Sequence, residues 1–311
     1  MKTKTIKNVI TQKFNDFVSS IDDKEVKDLV TKNTLISGGC IASMLLQEKV
    51  NDFDLYFTNK ETALAVTEYY VNKFKQDNNY NISVLHKEMN IPDDTKGFPM
   101  TRYEEMQKES AEDRIFIYVD GVGVAKDGDS IEHDEEDDVE TNEVTETDET
   151  NKSKYMPVHI SSNAITLSNK IQLVIRFFGE AKEIHKNYDY VHCTNYWLSS
   201  NKKLVLNQPA LEAILTRELI YIGSKYPIAS LIRTRKFIRR HWTITAGQYL
   251  KMAYQISKLD LDDVSILEDQ LMGVDALYFS ILIEKLKAKK EDNPDFTFGY
   301  DYICSMIDKI F

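Results

Sequence analysis

Thr34-Leu35-Ile36-Ser37-Gly38-Gly39-Cys40-Ile41-Ala42-Ser43, followed by Asp52-Phe53-Asp54-Leu55-Tyr56-Phe57, decides the reading of this chain. The first stretch predicts a short strand, a tight glycine turn and a helix start that runs on through Met44-Leu45-Leu46-Gln47-Glu48-Lys49. The second predicts a strand with aspartates at i and i+2. Strand side chains alternate, so Asp52 and Asp54 project from one face. Two carboxylates side by side repel each other unless a divalent cation lies between them. A glycine turn at a helix N-terminus offers backbone N–H groups to a phosphate. Phosphate cradle and acid pair together point to metal-assisted nucleotide chemistry.

The bulk properties fit a soluble α+β protein. The chain has 311 residues, 42% of them hydrophobic, and holds no apolar run long enough to span a bilayer. The basic start Met1-Lys2-Thr3-Lys4-Thr5-Ile6-Lys7 has no apolar segment after it and is not a secretory signal. Cys40, Cys193 and Cys304 are far apart and read as reduced thiols, which suits the cytoplasm. The net charge of −11 is local in origin. Residues 127–150 hold thirteen acids and no Lys or Arg, so removing them leaves the rest at +2. Segment 127–153 has too few large apolar residues to offset its ordering entropy and is expected to be a disordered insert. It reads as a solvated loop, with a tethered nucleic-acid mimic as the minority reading.

Outside the insert the periodicities are plain. Helices are expected over 5–31 and 61–74, strands over 81–85 and 114–119, and a strand–turn–strand unit over 164–177. A short helix over 179–187 then leads to a strand, Tyr188-Asp189-Tyr190-Val191-His192-Cys193. From Gln208 onward the pattern is helical, with helices at 209–222, 228–240, 246–257, 263–271 and 274–289. The expected layout is a mixed-sheet catalytic module over 1–205 and a helical domain over 206–311.

The glycine turn and Asp-x-Asp strand resemble the nucleotidyltransferase superfamily typified by polymerase β. The style of the sequence is also similar to nucleotidyltransferase-like proteins of large bacteriophages. The resemblance implies a third carboxylate on a later strand. Asp120 and Asp189 compete for that role, and Asp189 is preferred because a lone acid among aromatic and β-branched residues needs a cation or a partner. An ion pair with Arg176 or His192 is the structural alternative. The resemblance further implies two Mg2+ ions, with Mn2+ able to replace them, held by Asp52, Asp54 and Asp189. Gly38, Gly39 and the Ser43 hydroxyl would hold the phosphates of a nucleoside triphosphate. Arg233, Lys236 and Arg240 share one helix face, and with Arg235 and Arg239 they form a basic surface for triphosphate or RNA. The implied activity moves a nucleoside monophosphate to a hydroxyl. An RNA 3′ end is favoured as acceptor, with a protein side chain (AMPylation) as another, and a non-enzymatic nucleic-acid-binding or regulatory protein on the same fold as the alternative.

Overall fold

The computed structural model describes residues 1–77, 80–89, 100–108, 113–119, 123–125, 154–261, 266 and 269–271. The acidic segment 127–153, the candidate Asp120 and the expected helix 274–289 lie outside them.

The chain opens with two helices, α1 (Thr3–Ser19) and α2 (Lys24–Asn33). Sequence periodicity suggests one helix here, but Asp23 stops it. Its carboxylate accepts from the Val26 N–H at 3.0 Å and caps a new helix. Strand β1 (Thr34–Ser37), helix α3 (Gly39–Leu46) and strand β2 (Phe53–Phe57) follow as expected, except that Asp52 lies just ahead of its strand. Next come α4 (Lys60–Asp77), β3 (Ile82–Leu85), α5 (Met100–Gln107), β4 (Phe116–Val119) and β5 (Gly123–Ala125). Beyond the acidic segment lie β6 (Pro157–Ser161), β7 (Ala164–Leu167), β8 (Ile171–Phe178) and α6 (Ala181–His185). The chain continues with β9 (Tyr196–Leu198), β10 (Lys203–Val205), α7 (Gln208–Thr216), α8 (Pro227–Arg239) and α9 (Ala246–Ile256).

The architecture is α+β. A mixed sheet runs in the order β10-β9-β1-β2-β8-β7-β6-β5, and β3 pairs with β4 in a small second sheet. All pairings in the large sheet are antiparallel except β2 with β8. One face carries the main core. There α1 and α4 supply Ile10, Phe14, Phe17, Val66 and Tyr70, and the sheet supplies Ile36, Leu55, Leu173 and Trp197. Phe14 packs on Trp197 with ring centroids 5.1 Å apart. The opposite face carries a smaller cluster of Leu35, Tyr56, Val174, Ile184 and Tyr188.

Two departures from the sequence reading bear on the site. The stretch around Asp189 is not a strand. It makes a single antiparallel bridge, Tyr190 with Tyr221, and then tightens into a 3-10 turn at Val191–Cys193. Its backbone is satisfied locally, by Val191 N–H to Ile220 O at 3.0 Å and Ile222 N–H to Asp189 O at 2.9 Å. The strand on that side of the sheet is instead β9, which pairs with β1 and seats the fully buried Trp197. A third cluster joins Ala42 of α3 to Tyr190, Ile214, Tyr221, Trp242 and Met252, so the helices after residue 205 pack directly on α3.

Two histidines are buried as neutral rings. Burial holds His159 down to about 4. Burial and the nearby Arg240 charge hold His192 down to about 3, within an aromatic cage of Tyr190, Phe237 and Trp242. An unfolded histidine titrates near 6.5, so below that pH the unfolded chain binds protons that the folded chain refuses. Stability contributed by these rings is present above pH 6.5 and is lost as pH falls toward their folded values. Urea denaturation should show a loss of about 2 kcal/mol per histidine between pH 7.5 and pH 5. His192→Phe should flatten that slope; an unchanged slope would mean that His192 does not contribute.

Candidate active site

The site begins with one backbone angle. Gly38 sits between β1 and α3 at φ 92°, ψ −156°, a region that only glycine occupies without strain. A Cβ at this position would fall on the Asp54 carboxylate oxygen. The missing side chain therefore leaves room for Asp54 at the N-terminus of α3. Gly39 opens α3 and is exposed, and a Cβ built there meets nothing within 4 Å. The turn is anchored from behind, where Gly38 N–H donates to Cys193 O at 3.2 Å.

The surroundings are polar but largely uncharged. The Ser37 hydroxyl lies 2.9 Å from Asn195 O and 3.2 Å from Cys193 O, with His185 Nε2 at 2.9 Å. Burial holds His185 down to about 4, so its ring is neutral at pH 7. A hydroxyl has one proton, which goes to a carbonyl; His185 Nε2–H then donates to Ser37 Oγ. Burial pushes the Cys40 thiol well up, and the charges of Asp54 and Asp52 push it further. Both aspartates thus lie near the first turn of α3. Burial likewise raises Tyr56 and Tyr188, with Asp54 adding to each. Asp54 rests against groups that stay protonated.

The sequence-predicted residues separate into two sets. Gly38, Gly39, Asp52 and Asp54 meet at the β1–α3–β2 corner. Asp189 is buried and ion-paired to Arg233 of α8. This is the structural alternative foreseen for Asp189, with a different cation. Arg240, just past α8, donates to Ser43 Oγ at 3.2 Å and pairs with Glu48. Arg217 pairs with Glu48 at 2.9 Å and donates to Arg240 O at 2.9 Å. Two of the five helix cations therefore turn inward onto acids, whereas Arg235, Lys236 and Arg239 are exposed. Glu48 and Arg217 had no signal in the sequence, because Glu48 is separated from Arg240 by 192 positions.

Among the described residues no three acidic, histidine or cysteine side chains cluster to hold a metal ion. Asp189 is held by Arg233, while its charge and that of Asp54 both bear on the Cys193 thiol, so the described residues do not present the three acids as one ready metal cluster. The corner offers the carboxylates of Asp52 and Asp54 as hard oxygen donors that would hold a divalent cation, with the Asp54 oxygen drawn up against Gly38.

Comparison with known proteins places the chain. Residues 8–217 match the model of the family described as Gabija anti-defense 2 family protein. The chain belongs to the Gabija anti-defense 2 family. A Gabija anti-defense 2 protein of Bacillus phage SPbetaL7 is 20% identical over 161 residues, covering 50% of this chain and 40% of the relative. Among solved structures, a Thermotoga maritima CCA-adding enzyme complexed with tRNA is similar at TM-score 0.38 and 13% identity, over 95% of this chain and 58% of that one. A Bacillus stearothermophilus CCA-adding enzyme in complex with CTP gives TM-score 0.36 and 10% identity, over 85% of this chain and 51% of that one. This member of the Gabija anti-defense 2 family thus spans little more than half the length of either enzyme. Likeness at these scores fixes neither substrate nor chemistry.

Gly38→Ala tests the corner directly. The strained backbone alone should cost about 1–3 kcal/mol, and the added Cβ should displace Asp54. Urea denaturation and Mn2+-dependent binding of a nucleoside triphosphate should both be impaired. Wild-type values in both would remove Gly38 from the site.

Proposed function

We propose that the protein binds a nucleoside triphosphate with a divalent cation at the Gly38–Asp54 corner and transfers the nucleoside monophosphate to a hydroxyl, with an RNA 3′ end as the favoured acceptor. The site would serve a Gabija anti-defence role in the cytoplasm of a phage-infected host. One observation supports the reading: a positive-φ glycine opens space for a carboxylate at the start of a helix, so that acid and the amides opening α3 share one corner, as a phosphate with its cation would need.

In this reading Gly38, whose own N–H is taken by Cys193 O, lets the chain turn so that Gly39 presents its amide to the triphosphate, and Asp52 and Asp54 hold Mg2+ or Mn2+. Bound there, the cation would supply charge neutralisation for the phosphates and for the leaving pyrophosphate. The acceptor oxygen forms a bond to the α-phosphorus, the bond to the β-phosphate oxygen breaks, and the hydroxyl proton leaves to solvent. Ser43 is a reading for the phosphates that runs through Arg240, since the two are hydrogen-bonded. Exposed Arg235, Lys236 and Arg239 would meet the RNA backbone. Asp189, expected from the sequence as a catalytic acid, serves here to orient Arg233. The catalytic module over 1–205 and the helical domain over 206–311 are proposed to act together across the cluster on α3.

A second reading is favoured by one observation. With Asp189 paired to Arg233, no third carboxylate joins the acid pair in a metal cluster among the described residues, which suits a nucleotide-binding regulatory protein that does not transfer. Incubation with Mg2+, each labelled triphosphate, total RNA and host protein separates the outcomes. Label in RNA supports the leading reading, label in protein makes the acceptor a side chain, and binding without transfer supports the second reading. In Gabija-bearing cells expressing the protein, the Asp52→Asn/Asp54→Asn double variant should lower phage plating at least tenfold relative to wild type. Equal plating would mean that the anti-defence role does not use this corner.

A further inference from the structure

Directly opposed residues in a sheet share a face, so register can be followed across strands as well as along them. One rung of the large sheet reads Tyr196, Ser37, Asp54, Gln172, Thr166 and His159, from β9 through β1, β2, β8 and β7 to β6. Between Val205 of β10 and Ala125 of β5, which end the rung, every position is polar. Deeper on the same face the sheet turns apolar, with Leu35, Tyr56 and Val174 packed in one cluster. Polar side chains on a covered sheet face cost free energy unless they are hydrogen-bonded or hold a ligand.

The rung is divided by Asp54. On the β1 side stand Ser37 and the glycine turn, the side read above as the phosphate side. On the β8 side stands Gln172, half-buried and next to Asp54 across the parallel pair, at a strand spacing of about 4.8 Å. Gln172 is thereby the strand neighbour of Asp54 on the side away from the phosphates, and its side chain is an amide. Asp189, the acid expected in that role, is held by Arg233.

We propose that Gln172 is the third donor of the acid-pair site and that its neutrality restricts the site to a single divalent cation with its nucleotide. Two carboxylates balance one such cation. A second cation brings two further positive charges, which without a third carboxylate only the triphosphate is left to balance, since an amide oxygen, though a suitable hard ligand, carries no charge. Gln172 is thus a residue that sets ion stoichiometry from beside Asp54. The inference rests on the acid-pair reading and deepens it.

The test counts Mn2+ bound per chain by electron paramagnetic resonance, using a non-hydrolysable ATP analogue at saturation and subtracting Mn2+ held by free analogue. Wild type should bind one ion. Gln172→Glu should bind a second at least tenfold more tightly than wild type does, Gln172→Ala should stay at one, and Asp189→Asn should also stay at one. Circular dichroism confirms that each variant is folded. Two ions on wild type, or one on Gln172→Glu, would overturn the role of Gln172 while leaving the acid pair standing. Loss of an ion in Asp189→Asn would return the third-ligand role to Asp189 and overturn the proposal. No ion on wild type, unaltered by Asp52→Asn/Asp54→Asn, would overturn both readings.

Discussion

The close approach of Asp54 to Gly38 is the constraint on which the site depends. A carboxylate can reach the start of α3 only because position 38 has no Cβ, and the chain can turn there only because glycine tolerates φ 92°. Everything nearby keeps that approach in place. Gly38 N–H is tied to Cys193 O, and Ser37 is held from below by Asn195, Cys193 and His185. The neighbouring titratable groups Cys40, Tyr56 and Tyr188 are driven by burial to stay neutral, so none of these three adds an anion beside the acid pair.

The helices after residue 205 are coupled to the same corner in two ways. Trp242, Tyr221 and Met252 share an apolar cluster with Ala42 of α3. Around that cluster lie charge pairs, Arg233 with Asp189 and Arg240 and Arg217 with Glu48. Removing one partner of such half-buried pairs leaves a charge uncompensated, which is more costly than the pair itself is favourable. Any movement of α8 relative to α3 therefore has to exchange these pairs for other anions, and a triphosphate is an anion of that kind.

Local features were legible in the sequence, and long-range ones were not. The strand–glycine turn–helix–strand order at 34–57, the 164–177 hairpin and helices α4, α8 and α9 follow from periodicity and turn chemistry. The break between α1 and α2 was hidden because Ile21 and Val26 continue an apolar pattern through a capped turn. The acid at 189 sits among Tyr188, Tyr190 and Val191, which mimic a buried strand. Its actual partner, Arg233, is 44 residues away, and β-propensity cannot register it. Gln172 gives no signal by itself, and its importance arises only when β2 and β8 pair in parallel.

Nucleotide and cation are proposed to meet at the Gly38–Asp54 corner. A crystal structure with a nucleoside triphosphate analogue and Mn2+, collected with anomalous data, tests it most directly. An anomalous peak is expected within coordination distance of Asp52 and Asp54, with triphosphate oxygens over the Gly39 amide at the start of α3. Nucleotide bound elsewhere, or Mn2+ centred on Asp189 away from the acid pair, would contradict it.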